Sequence, residues 1–135
     1  MSVDSIIFGI LSGNSAVTGV VGTKIYPSQA PQTTQFPFVV FETISTMPNN
    51  TKSGVSEMDR YRIQVTTLAK ENNQANDIAD KIRTALDYYK SGDVQLISFQ
   101  AQNSAFDNIS GQDGIFLKYQ DYFLTLPQLM SLDQD

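Results

Sequence analysis

The chain has no histidine, no cysteine and no tryptophan among its 135 residues. Without histidine there is no side chain that ordinarily titrates near neutral pH, so the usual general base and the imidazole metal ligand are both missing. Without cysteine there is no disulfide framework, no thiolate metal site and no thiol nucleophile. Basic charge is also scarce. Nine Lys and Arg stand against fourteen Asp and Glu, for a net charge of −5. The closest basic pairs are Arg60/Arg62 and Lys81/Arg83, whereas phosphate binding needs clustered cations. Long apolar runs are absent too. Ile6–Leu11 is far too short to span a bilayer, and the first residues carry Asp4 but no Lys or Arg, unlike an export signal. The expectation is synthesis in the cytoplasm without export.

What is present is enough for one domain. A chain of this length buries roughly two-thirds of its unfolded surface and needs no covalent staples. The reading is a single domain over 1–135, with the packed part at 3–126 and a short polar tail at 127–135.

Ile6, Ile7, Ile10 and Leu11 form one helical stripe, which predicts a helix over 3–12 stopped by Gly13 and Asn14. Ser15–Val21 reads as a short turn capped by Ser15. Pro27, Pro31 and Pro37 mark an extended surface crossing. Phe38–Ser45 is a strand by its aromatic and β-branched content, with Phe38 and Val40 on one face and Val39 and Phe41 on the other. Thr46–Ser56 reads as a polar loop.

Glu57–Leu68 alternates cleanly. Tyr61, Ile63 and Val65 share a dry face, and Arg60, Arg62, Gln64 and Thr66 a wet one. At about 3.3 Å per residue this strand runs on the order of 40 Å, longer than most. Asn72–Tyr89 is a helix by the spacing of Ala75, Ile78, Ala79, Ile82 and Leu86, capped by Asn72 or Asn73. Val94–Asn103 predicts a strand with Ile97, Phe99 and Ala101 on one face. Ile115–Leu126 predicts another, with Ile115, Leu117, Tyr119 and Phe123 inward and Lys118, Gln120 and Tyr122 outward. Ser104–Gly114 between them reads as a long hairpin loop. The expected fold is α+β: a four-stranded antiparallel sheet with helices packed on one face, in the order α-turn-β-β-α-β-β.

No chemistry-bearing motif survives comparison with its plain reading. Glu57/Asp59 are strand-edge charges, because a Ca²⁺ site needs six or more oxygens from a dedicated loop. The stretch Asp107–Gly114 lacks the order and terminal Glu of a calcium loop. Gly13–Gly22 contains no phosphate-loop pattern, and no Ser or Thr has a histidine partner. No catalytic residue, cofactor or metal is expected. Tyr26, Phe36, Phe38, Phe41 and Tyr119 read as core. Tyr88, Phe106 and Tyr122 fall where a monomer need not bury them, which is how interface centres are furnished. Arg60 and Arg62 fit equally a solvated face or a partner's carboxylates.

The ordered set Ile10-Leu11, Ser15–Thr18, Val21–Pro27, Ala30-Pro31 and Phe36–Phe41, followed by Asp59–Val65 and Ala75–Asp87, resembles the tail-completion family of tailed bacteriophages and prophages. The resemblance extends over roughly 3–126. Members often carry tryptophan in the second strand and near the end, and this chain has none. The resemblance implies a structural virion protein, the tail terminator of a long non-contractile tail. It implies self-assembly into a ring, expected to be a hexamer, at the head-proximal end of the tail tube. The ring stops tube growth and joins the tail to the head connector. Its implied partners are therefore its own copies, the tube protein and the connector, while DNA passes through the lumen unbound and no membrane takes part. A head-completion or neck adaptor is the alternative. The expected partner surface comprises the loop residues Pro48, Asn49, Asn50 and Lys52, the strand residues Arg60 and Arg62, the second loop's Phe106, Asp107 and Asn108, and Tyr122.

Overall fold

The computed structural model describes residues 3–48, 58–92, 94–108 and 114–127. Three helices and five strands follow in the order α1 (Val3–Ser12), α2 (Ser15–Val21), β1 (Ile25–Pro27), β2 (Phe38–Pro48), β3 (Met58–Ala69), α3 (Asn72–Leu86), β4 (Leu96–Asp107) and β5 (Ile115–Pro127). The α+β class is as expected, but the sheet has five strands and is mixed. Its order is β1-β2-β3-β5-β4, with β1 parallel to β2 and every other pair antiparallel.

Two local features separate the structure from the expectation. Ser15–Val21 is a helix and not a turn, because Asn14 rather than Ser15 caps it. The Asn14 Oδ1 accepts from the N–H groups of Ala16 (3.0 Å) and Val17 (3.1 Å). Gly22, at φ 62°, then turns the chain out of α2 in a conformation that suits glycine. The next residues, Ile25–Pro27, pair with Val39–Phe41 before the proline-rich crossing begins. At the start of α3 the cap is the backbone position Glu71, without a side-chain bond, and not Asn72 or Asn73.

Helices cover one face of the sheet. α1 lies against β1 and β2, and α3 against β3, β4 and β5. Val3, Ile7 and Leu11 of α1, Val17 and Val21 of α2, and Ile78, Ile82 and Leu86 of α3 pack on Val39, Phe41, Tyr61, Ile63, Val65, Ile97, Tyr122, Leu124 and Leu126. The alternation predicted for β3 is the one observed.

β5 is turned over. Lys118, Gln120, Tyr122, Leu124 and Leu126 face the helices, and the side with Leu117, Tyr119 and Phe123 is the open one. Both faces of this strand are part apolar, and pairing with β3 decides between them. Tyr122 and Leu124 lie opposite Ile63 and Tyr61 and must share their side. β4 runs to Asp107, so Ser104–Asp107 is strand and not loop, and a bulge at Gln100 moves Ala101 off the face of Ile97 and Phe99. β2 likewise takes in Thr46–Pro48, with a bulge between Thr43 and Ser45. Among the described residues no single helix is long and apolar enough to cross a membrane.

Candidate assembly surface

The pleat of β3 sends Arg60, Arg62, Gln64 and Thr66 to the face that no helix covers. β2 adds Ser45 and Met47 beside them, and β5 adds Asp121 and Phe123. Ser45, Met47, Arg62, Gln100, Asp121 and Phe123 line a shallow depression on the open face. Arg62 Nη2 donates to Asp121 Oδ2 at 3.2 Å, and Gln64 Nε2 reaches Asp121 Oδ1 at 3.5 Å. The carboxylate is sheltered, its side chain 14% exposed, while that of Arg62 remains 45% exposed. The Arg60 guanidinium lies 4.4 Å above the ring of Phe123, a cation–π arrangement. The two arginines are thus held in place rather than merely solvated. The surface offers fixed donors beside an aromatic ring, which suits recognition. Among the described residues it holds no paired nucleophile and base.

At the β1 corner of the open face, Tyr26, Phe36 and Phe38 cluster, with ring centroids 6.5 Å and 5.2 Å from Phe38. All three were expected in the core: Phe38 is buried at 8% exposure, whereas Tyr26 and Phe36 are half-buried and cover it on the sheet's bare side, where the crossing loop brings Phe36 down onto the strand.

The expected partner residues divide into four groups. Arg60 and Arg62 lie at the same end of the sheet as Pro48, the last residue of β2, which pairs with Asp59. Phe106, Asp107 and the exposed Asn108 lie at the opposite end, so the surface first drawn as one is two. Phe106 is 56% exposed and packs against Phe116 with ring centroids 4.8 Å apart and the rings tilted by 53°. Its ring lies directly over Gly114, so a side chain there would have to push the ring aside. Asn49, Asn50 and Lys52 fall outside the described residues. Tyr122 is a correction: it is fully buried, edge-on to Phe99 at 5.6 Å, because β5 presents the other face to solvent. Burial, with the Asp87 carboxylate adding and Arg83 opposing, pushes its phenol well above the ordinary tyrosine value.

Sequence reasoning missed a polar seam beneath α3. Gln120 Nε2 donates to the Ala79 carbonyl at 3.0 Å and lies 3.1 Å from Gln102 Oε1, and Lys118 Nζ donates to Ser104 Oγ at 3.0 Å. Among the described residues, Thr67 Oγ1, Gln120 Oε1 and the Tyr122 hydroxyl are buried without a partner. Lys118 and Gln120 read as a wet face from sequence, and only their partners, the Ser104 hydroxyl for Lys118 and the helix carbonyl of Ala79 for Gln120, explain why they are tolerated inside. Among the described residues no cluster of three metal-ligating side chains occurs.

A family described as tail completion protein gp17 matches residues 6–112. Among solved structures, a chain of the virion of a native gene transfer agent particle superposes with a TM-score of 0.71 at 12% identity, covering 93% of this chain and 95% of that one. A second structure, at TM-score 0.52 and 12% identity, covers 93% of this chain and 96% of its own. At that identity these likenesses show a common fold. Nothing among curated proteins matches.

Proposed function

The chain belongs to the tail completion protein gp17 family, and from that premise we propose that it closes a phage tail as a ring. As a member it is a structural component of a phage or phage-like virion, placed in the tail or neck, and not an enzyme. In the finer reading, copies assemble head to tail at the head-proximal end of a tail tube, halt its polymerisation and dock the head connector. Heterologous contacts of this kind close into rings.

The observation that carries the reading is the open sheet face. Arg60 and Arg62 are fixed there by Phe123 and Asp121 without serving the core. A monomer gains little from such an arrangement, since exposed ion pairs contribute about 0–1 kcal/mol. The acidic surface supports passage of DNA through the lumen without adhesion. Particles made without the protein test the reading by electron microscopy. Filled heads beside over-long free tails are expected. Heads that leak DNA would assign the chain to the neck as an adaptor instead. A protein that never caps tubes would reject the ring.

A further inference from the structure

Each outer edge of the sheet is half closed, and the two open halves complement one another. At one edge β1 and its neighbours bond the outward groups of β2. Val39 N–H donates to the Lys24 carbonyl (3.0 Å), and Ser28 N–H to the Phe41 carbonyl (2.8 Å). At the other edge the chain after α3 bonds the outward groups of β4. Tyr88 N–H donates to the Ile97 carbonyl (2.8 Å), Ile97 N–H to the Tyr89 carbonyl (3.0 Å), and Phe99 N–H to the Asp87 carboxylate (3.0 Å).

Outward groups alternate along a strand. On β2 the phase set by Val39 and Phe41 continues to Thr43 and, past the bulge, to Thr46. On β4 the phase set by Ile97 and Phe99 continues, past the bulge at Gln100, to Gln102, Ser104 and Phe106. Among the described residues none of these five has an outward backbone partner. Unpaired edges are usually guarded by Lys, Pro or a covering segment. The stretch Ala101–Asp107 has no Lys, Arg or Pro and is exposed throughout.

We propose that consecutive copies join by antiparallel pairing of Gln102–Phe106 of one copy with Thr43–Pro48 of the next, Phe106 opposite Thr43 and Ser104 opposite Thr46. This rests on the ring reading and gives it an interface. Four features favour a second copy as the occupant. First, β4 and β2 run in opposite directions in the sheet, so copies related by rotation pair antiparallel. Second, the outward residues of both open halves lie on the helix side, so the pleats meet in phase and the helices stay on one side of the joined sheet. Third, the two segments to be paired contain Phe106 and Ile44. These are two of the few large apolar side chains left exposed, at 56% and 43%.

Fourth, the stagger fits closure. Phe106 shares a row with Phe116 and Ala69, while Thr43 shares one with Ile63 and Tyr122. Ala69 to Ile63 is about 20 Å along the strand, against about 19 Å for four strand spacings across. That slope is about 45°, the inclination at which strands close into barrels. A register two residues shorter would drive Phe106 against the segment that already bonds Phe41.

The cysteine-free chain makes the test clean. Ser104→Cys combined with Thr46→Cys puts two thiols at an antiparallel pair, about 5.5 Å between Cα atoms and within disulfide range. Oxidation of protein assembled on tube ends is expected to give a ladder of covalent multimers. Neither single variant extends beyond a dimer. Thr46→Pro removes one outward N–H and no bond to β3, so it is expected to leave the melting temperature within a few degrees and raise the concentration needed for assembly about tenfold or more. Met47→Pro removes a donor that faces β3 and is expected to lower the melting temperature instead. Rings on tube ends that give no ladder and tolerate Thr46→Pro overturn the pairing and leave the ring standing. Original protein that forms no ring on tubes overturns both.

Discussion

The two faces of the sheet are built from the same strands and hold opposite kinds of side chain. Under the helices, Ile63, Val65, Leu124 and Leu126 are at most 1% exposed. On the bare side, Arg62 is paired to Asp121 and Arg60 rests on Phe123, all beside solvent. The first face is held by burial, at about 25 cal/mol per Å² of apolar surface removed from water. The second is held by contacts that contribute little to the fold. Side chains can therefore be spent there on a partner without cost to the monomer. The difference teaches where mutation separates stability from assembly.

The largest effect is expected on the covered face. Leu124 is fully buried between Tyr61 and Ile97 in the sheet. Leu124→Ala is expected to cost about 2–5 kcal/mol, the usual range for a core leucine. Chemical denaturation reads this directly. A cost near zero would mean that the covered face is not the core.

Tyr122 sharpens the comparison through pH. Its buried hydroxyl has no partner among the described residues, and its phenol is pushed up from an ordinary value of 10.0. The neutral form is therefore the one the fold accepts. Its contribution is fully present below about pH 10 and is lost as pH rises further, because the unfolded chain then releases the proton while the folded one retains it. Each pH unit above 10 is expected to remove up to about 1.4 kcal/mol. Tyr122→Phe lacks that loss. Melting curves of the two proteins from pH 8 to 11.5 are expected to diverge only at the alkaline end, and parallel curves would place the ring in water.

These two residues also mark what could be read in advance. Leu124 and the alternation of β3 follow from period-two patterning, as α1 and α3 follow from helical spacing. Tyr122 does not, because β5 is apolar at intervals on both faces. Its orientation is settled by Ile63 on a strand more than fifty residues away, and the polar Lys118 and Gln120 mislead until Ser104 and the Ala79 carbonyl supply partners. β1 was hidden for a similar reason. Three residues before a proline-rich crossing carry no periodicity, and only the parallel pairing to Val39–Phe41 makes them a strand. Of the candidate surface, Arg60, Arg62 and Phe106 were legible as side chains a monomer does not need inside. Their separation to opposite ends of the sheet was not, because it depends on which strands are neighbours.

On the open face the effects shrink. Asp121→Ala frees the Arg62 guanidinium and the Gln64 amide into solvent, where both rehydrate. A loss of about 1 kcal/mol or less is expected. A loss like that of Leu124→Ala would show the open face to be structural and would erase the contrast.

The smallest effect on the monomer is expected from reversing charge at Arg60 and Arg62 together, and this variant bears most on function. Arg62→Glu sets two carboxylates side by side at Asp121, and Arg60→Glu removes the cation from the Phe123 ring. Both positions meet water, so the repulsion is screened and the glutamates can turn away. The melting temperature is expected to fall by only a few degrees, and further recovered by salt, whose screening length is about 8 Å at physiological strength. Assembly has no such relief. A partner surface that accepts two guanidiniums meets two carboxylates across a desolvated contact, where like charges cost several kcal/mol. Ring formation on tubes is therefore expected to fail while the fold persists, as seen by electron microscopy beside a melting curve. If rings form normally with both charges reversed, this part of the open face lies away from every neighbour, and the half-open edges alone must carry the assembly.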